Sequence, residues 1–231
     1  MRIRILSTLS NNQKESTMRS LVQIGAVVAS AAVLAGCAHP IVMATEKSAP
    51  TEALAQKIDK NVGYVIPAGL REKEIVTPGG GGDKVSYFPY RDIELPMYST
   101  LSNVFANVSK LKAPNDEAAI RNGQISYIVT REMVTDSSSD SALTWPPTQF
   151  TIKLTCTVTD LTGAIVLKKE VSGVGKAEFS EFKRNFALSA HRASEDALKQ
   201  LQAALASAPE LRNASIQPSP IVVAPKAAAT Q

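Results

Sequence analysis

The chain has 231 residues, 44% of them hydrophobic and 20% charged, with a net charge of +4 and two cysteines. Of its 25 basic residues, Arg2, Arg4, Lys14 and Arg19 precede residue 37, as does Glu15 of its 21 acidic ones, which leaves 21 basic against 20 acidic in the remainder. That near balance, without a lysine or arginine run, excludes the electrostatic footprint of a nucleic-acid binder, and so few cysteines exclude a disulfide framework or a cysteine-rich metal site.

In chain order, the first feature is Leu21 to Ala35 (LVQIGAVVASAAVLA), apolar or small apart from Gln23 and Ser30, with Arg19 just before it. A basic start, a short apolar centre and small residues at the exit read as a secretory signal. A spanning helix needs about 20 predominantly apolar residues, and here polar, proline-containing sequence follows too soon. Residues 1–36 are therefore expected to be removed, with Met18 the better start and MRIRILSTLSNNQKEST an upstream extension. Leu34, Ala35, Gly36 and Cys37 resemble the bacterial lipobox in spacing and residue type. The resemblance implies cleavage between Gly36 and Cys37, and a covalent diacylglycerol and N-acyl lipid on Cys37; no other cofactor is expected. Each buried CH₂ contributes about 0.8 kcal/mol, so several chains hold a protein that one chain holds only marginally. A plain signal peptide cleaved nearby, with Cys37 incidental, is the competing reading. In the lipoprotein sorting rule an aspartate after the cysteine retains the protein in the inner membrane, so Ala38 implies a periplasm-facing position on the outer membrane.

Residues 37–61 are expected to be the lipidated cysteine and a polar tether, residues 62–208 a single domain, and residues 209–231 (PELRNASIQPSPIVVAPKAAATQ) a Pro- and Ala-rich tail that cannot offset its ordering entropy. Within the domain, Val62–Ile66 and Lys84–Tyr90 are short strand candidates, and Gln124–Val134 is a longer one. Phe150, Ile152, Leu154, Cys156 and Val158 alternate with threonines and Lys153, a period of two that buries the first set. Asp160 to Gly163 (DLTG) reads as a turn and Ile165–Val171 as the returning strand of a hairpin. Helices are expected over Leu95–Lys110, with Pro96 in its first turn, and over Glu181–Ser207, with Ser180 as N-cap and Pro209 as stop. This order predicts an α+β fold, an antiparallel or mixed sheet of about four to five strands with two helices on one face.

Candidate chemistry is sparse. The glycines Gly79–Gly82 in TPGGGGDKVS suggest a phosphate loop, but Asp83 before Lys84 and Val85 after it break the Walker pattern, so a turn-rich loop is the better reading. Tyr87, Phe88 and Tyr90 form either a ligand-stacking surface or part of the core, with the core favoured. Trp145, in the polar loop Asp136–Thr148, is a candidate partner or membrane contact. His39 lies in the tether and His191 on the long helix, where Arg192 and Glu195 read as a solvated face, so spacing proposes no triad. Cys156 lies on a buried strand face, no metal-ligand spacing occurs, and neither a catalytic nor a metal site is expected.

The lipobox followed by a strand, helix, strands and closing helix resembles the small envelope lipoproteins of Gram-negative bacteria. These include the YajG-like group, the lipopolysaccharide-assembly lipoprotein and the auxiliary lipoproteins of envelope ABC transporters. What the resemblance implies is non-enzymatic work as an accessory or assembly module in envelope biogenesis or transport, anchored to the membrane and bound to an envelope protein partner. The alternative is a small-ligand or glycan-binding lipoprotein using Tyr87, Phe88, Tyr90 and the glycine loop.

Overall fold

The computed structural model describes residues 38–77, 84–139 and 148–213. Two sheets organise them. The larger is mixed and five-stranded, built from β2 (Ile58–Val65), β5 (Phe105–Leu111), β6 (Tyr127–Ser138), β7 (Gln149–Thr159) and β8 (Ile165–Lys176). Its spatial order is β5-β2-β6-β7-β8, with the first three strands parallel and the last three antiparallel. The smaller sheet, in the order β1-β4-β3, joins β1 (Ala38–Pro40), β4 (Lys84–Tyr87) and β3 (Ile75–Val76). The expected α+β class holds.

One face of the large sheet is covered by two helices, α3 (Glu94–Val104) and α6 (Leu188–Ala206). Phe150, Ile152, Leu154, Cys156 and Val158 all point into that layer and are buried, as their alternation requires. They meet Met97, Leu101 and Val104 of α3, and Ala190, Ala193, Ala197, Leu198 and Leu201 of α6. On the opposite face, Val65, Leu111 and Ile128 form a second small cluster under α4 (Glu117–Asn122), against Ala119 and Ile120. The DLTG turn is held by the Asp160 carboxylate, which accepts from the Thr162 amide and hydroxyl and from the Ala164 amide; these bonds lower its pKa, and Gly163 takes φ +88°.

Four expectations are corrected. The expected tether is part of the domain from Ala38 onward. Ala38, His39 and Pro40 pair with Lys84, Val85 and Ser86, and Met43, Ala44 and Ala49 are buried. The Ser194 hydroxyl donates to the Met43 carbonyl (2.9 Å), the Met43 amide donates to Asp92 (3.1 Å), and His191 Nε2 lies 2.8 Å from the Val42 carbonyl. Met43 and Ala44 seat the segment in the same core as α3 and α6, with Ile41 partly buried against it and Val42 exposed. The domain also runs past Ala208: α7 (Glu210–Asn213) buries Leu211. The helix expected to reach Lys110 ends at Val104, where the chain enters β5, since Phe105 and Leu111 are needed on the sheet. The final helix is interrupted. α5 (Phe179–Phe182) contains Ser180, and α6 starts only at Leu188, after Asn185 accepts from the Ala187 amide through its side chain (3.0 Å).

Candidate functional site

A cleft of about 290 Å³ opens where the first turn of α3 passes the β5 edge of the sheet, lined by Tyr64, Arg71, Arg91, Glu94, Leu95, Tyr98 and Lys110. These residues come from five elements: β2, α1 (Ala68–Arg71), α2 (Pro89–Asp92), α3 and β5. Parallel pairing of β2 with β5 sets Tyr64 opposite Lys110. The Tyr98 hydroxyl donates to the Val108 carbonyl (3.1 Å) and ties α3 to that edge.

Glu94 sits at the centre, its side chain 16% exposed. Arg71 Nε lies 2.9 Å from Glu94 Oε2 without the alignment of a hydrogen bond, and Lys110 Nζ donates to Oε1. The third cation, Arg91, has its guanidinium carbon 3.7 Å from the Phe88 ring centre and reaches Asp92 Oδ1 at 3.4 Å. The Met43 and Phe88 amides both donate to the other oxygen, Asp92 Oδ2, which leaves Oδ1 to accept from Arg91 Nε. The lining thus carries three cations and one carboxylate, with Asp92 paired to Arg91 just behind it and the exposed apolar surface of Leu95 and Tyr98 beside them. The positive end of the α3 dipole adds to the same sign.

Next to this cleft the core holds an unusual group. Arg131, 4% exposed, points inward from β6, with its guanidinium 5.2 Å from the Tyr64 ring centre and 5.5 Å from that of Tyr90. Nη2 donates to the Tyr90 carbonyl (2.6 Å), while Nε and Nη1 have no hydrogen-bond partner among the described residues. Burial pushes its pKa down to about 9, still high enough to keep the charge at neutral pH. Cys156 stands directly across the ladder from it, and burial pushes that thiol up to about 12, so it is a protonated, unreactive core residue. The Tyr64 hydroxyl is also buried without a partner among the described residues.

No family model matches the chain. No curated protein matches it either. Among the solved structures similar to it are two of low sequence identity. One is a Xanthomonas campestris protein of family-model DUF330, 11% identical with a TM-score of 0.45, over 74% of this chain and 92% of that one. The other is a neuraminyllactose-binding hemagglutinin homologue from Helicobacter pylori, 11% identical with a TM-score of 0.33, over 66% of this chain and 88% of that one.

The residues singled out from sequence are placed as follows. Tyr87 and Tyr90 are buried, so they cannot form an exposed stacking surface. Tyr87 shares a hydrogen bond with Thr135 (2.7 Å) and packs edge-on against Phe150; the Tyr90 hydroxyl accepts from the Met133 amide (3.2 Å). Phe88 is half-buried beneath Arg91. His39 stacks on Phe186 at 4.4 Å. Gly36, Cys37, Gly79–Gly82 and Trp145 lie outside the described residues. Among the described residues no histidine, cysteine and carboxylate group is arranged to hold a metal, and no helix is long and apolar enough to cross a membrane. Sequence reasoning missed the cleft because no local spacing joins Tyr64, Arg71, Glu94 and Lys110. The parallel pairing of β2 and β5 brings Tyr64 to Lys110, and helix packing adds Arg71 and Glu94.

Proposed function

We propose that the protein is a lipoprotein acylated on Cys37, held on the periplasmic face of the outer membrane, and acting as a non-enzymatic accessory or assembly module in envelope biogenesis or transport. One structural observation favours this over a plain signal peptide cut nearby: the residues from Ala38 to Ala44 are part of the folded domain. Val42-Met43-Ala44 has the small-residue pattern of an ordinary cleavage site, yet cutting after Ala44 would strip Met43 and Ala44 from the core and remove β1. Cutting between Gly36 and Cys37 leaves every described element intact.

The same observation changes how the domain would stand. His39 is fixed against Phe186, and two residues of chain span at most about 7 Å. An acylated Cys37 would therefore hold the domain directly against the bilayer by this corner, not at the end of a tether. A partner would then be met close to the membrane surface.

The test is intact mass and membrane fractionation of the protein expressed in a Gram-negative host, beside Cys37→Ala. The expected result is an acylated species beginning at Cys37 in the outer-membrane fraction, absent from the variant. A soluble, unmodified species beginning elsewhere would overturn the reading.

A further inference from the structure

Going beyond that reading, we propose that the cleft between α3 and the β5 edge is a binding site for a phosphate ester attached to a small polar headgroup. The argument is one of charge and shape. Arg71, Arg91 and Lys110 approach one opening from three separate elements; Arg71 and Lys110 share Glu94, and Arg91 meets Asp92 Oδ1 through a single 3.4 Å contact that leaves its other nitrogens to the opening. Three cations around one small volume match the three oxygens of a phosphate monoester or the two free oxygens of a diester better than they match one carboxylate with an oxygen apiece for two of them. Because Arg71 holds Glu94 without hydrogen-bond alignment, the internal carboxylate satisfies that guanidinium poorly, and an entering oxoanion gains what the ion pair lacks.

The rest of the lining states what the phosphate is carried on. A volume of about 290 Å³ is small for a pocket and suits a headgroup of glycerol size. Leu95 and Tyr98, exposed at the mouth, offer apolar surface to whatever extends out of it. Arg131 places a further cation, without a carboxylate partner among the described residues, behind Tyr64 in a low-dielectric wall where its field is weakly screened. The shared chemistry is a phosphate ester, with either a membrane phospholipid or a soluble ester as its source.

The full chain in nonionic micelles tests this by thermal unfolding, since a ligand that binds only the folded form raises the midpoint. The probes are phosphatidylglycerol doped into the micelles, diacylglycerol doped likewise, and free glycerol phosphate. Saturable stabilisation by a phosphate probe and none by diacylglycerol is expected. Phosphatidylglycerol alone acting would identify a lipid, and equal action by glycerol phosphate a soluble ester. Arg91→Gln and Lys110→Gln should each raise the apparent Kd about tenfold, one charge-assisted hydrogen bond each. Glu94→Gln should lower it, because it removes the competing carboxylate; a merely structural ion pair would give lower stability and no tighter binding. No stabilisation by either phosphate probe, or an unchanged response in the lysine and arginine variants, would overturn the proposal. The glycerol phosphate arm does not depend on acylation, so its outcome is independent of whether Cys37 carries lipid.

Discussion

The two long helices cover the same face of the same sheet in opposite ways. Over β8, α6 lies so close that two glycines form the contact. A Cβ on Gly173 would collide with the Ala193 carbonyl oxygen and sit 2.5 Å from the Ala197 nitrogen, and one on Gly175 would collide with the Ser189 carbonyl oxygen. The helix side of that seam is equally small, with Ala190, Ala193 and Ala197 fully buried. At the other edge, α3 presents Glu94, Leu95 and Tyr98 to Tyr64 and Lys110, and these long side chains leave a cleft between them. Small residues on both sides bring backbones together and fill space completely. Long polar residues hold elements apart and line the gap with charge, which is where a ligand can enter.

The largest expected effect breaks the tight side. In Gly173→Ala the obstructing atoms are helix backbone, so α6 as a whole must shift. A destabilisation of about 3 kcal/mol is expected by urea unfolding, and Gly175→Ala should cost about as much. A midpoint within error of the parent protein would mean that α6 does not rest on β8 as described.

Next in size is Arg131→Met, on the polar side of the core. The desolvated guanidinium makes one described hydrogen bond, to the Tyr90 carbonyl, and a methionine fills similar volume without burying a charge. A gain of about 2 kcal/mol is expected, read as a higher urea midpoint. Loss of stability instead would reveal that the tyrosine rings and the single hydrogen bond more than offset desolvation.

These two sites also separate what the sequence discloses from what it conceals. β7 and its hairpin partner were legible because alternation is a local signal: each of Phe150 to Val158 states its own face. Gly173 and Gly175 carry no such signal, since a glycine in a strand shows its purpose only once the helix above it is known. β5 was read as helix because Phe105 and Val108 fit a stripe begun at Met97, and only pairing with β2, more than forty positions upstream, decides for strand. Met43 lies in a polar, alanine-containing stretch that reads as a tether; its place in the core depends on partners far along the chain, Asp92 for its amide and Ser194 for its carbonyl. The cleft is wholly tertiary, and none of its charges is distinguishable in sequence from a solvated surface.

A smaller effect concerns the exposed end of the tight side. Arg192 on α6 donates to both oxygens of Glu181 and to the Lys176 carbonyl at the end of β8. Hydrogen bonding from Arg192, then from the Glu178 amide, holds the Glu181 carboxyl down to about 2, against an ordinary 4.5. The folded form therefore favours the ionised group, and its contribution is complete above about 4.5 and lost as pH falls from there through 2. The pair is exposed and screened, so the effect is a modest drop in melting temperature between pH 6 and pH 3. Glu181→Gln should lose less over that range than the parent protein, and an identical pH profile would show that the pair adds nothing.

The smallest effect uses the same substitution as the largest and reverses its sign. Gly69 lies on α1, the short helix that carries Arg71 to the cleft, and a Cβ there would meet nothing within 4 Å. Its backbone is not in the left-handed region, so alanine enters without strain and chiefly removes freedom from the unfolded chain. Gly69→Ala should stabilise by about 0.5 kcal/mol, and it should leave the response to glycerol phosphate unchanged, since Arg71 keeps its helix and its reach. If alanine destabilises here too, the wall of the cleft is under a constraint like that of the tight seam, and the contrast between a filled edge and an open one fails. If it stabilises while Gly173→Ala unfolds, then spacing between elements, and not residue type, sets the sign, which is what a sheet packed closely on one side and left open for a ligand on the other requires.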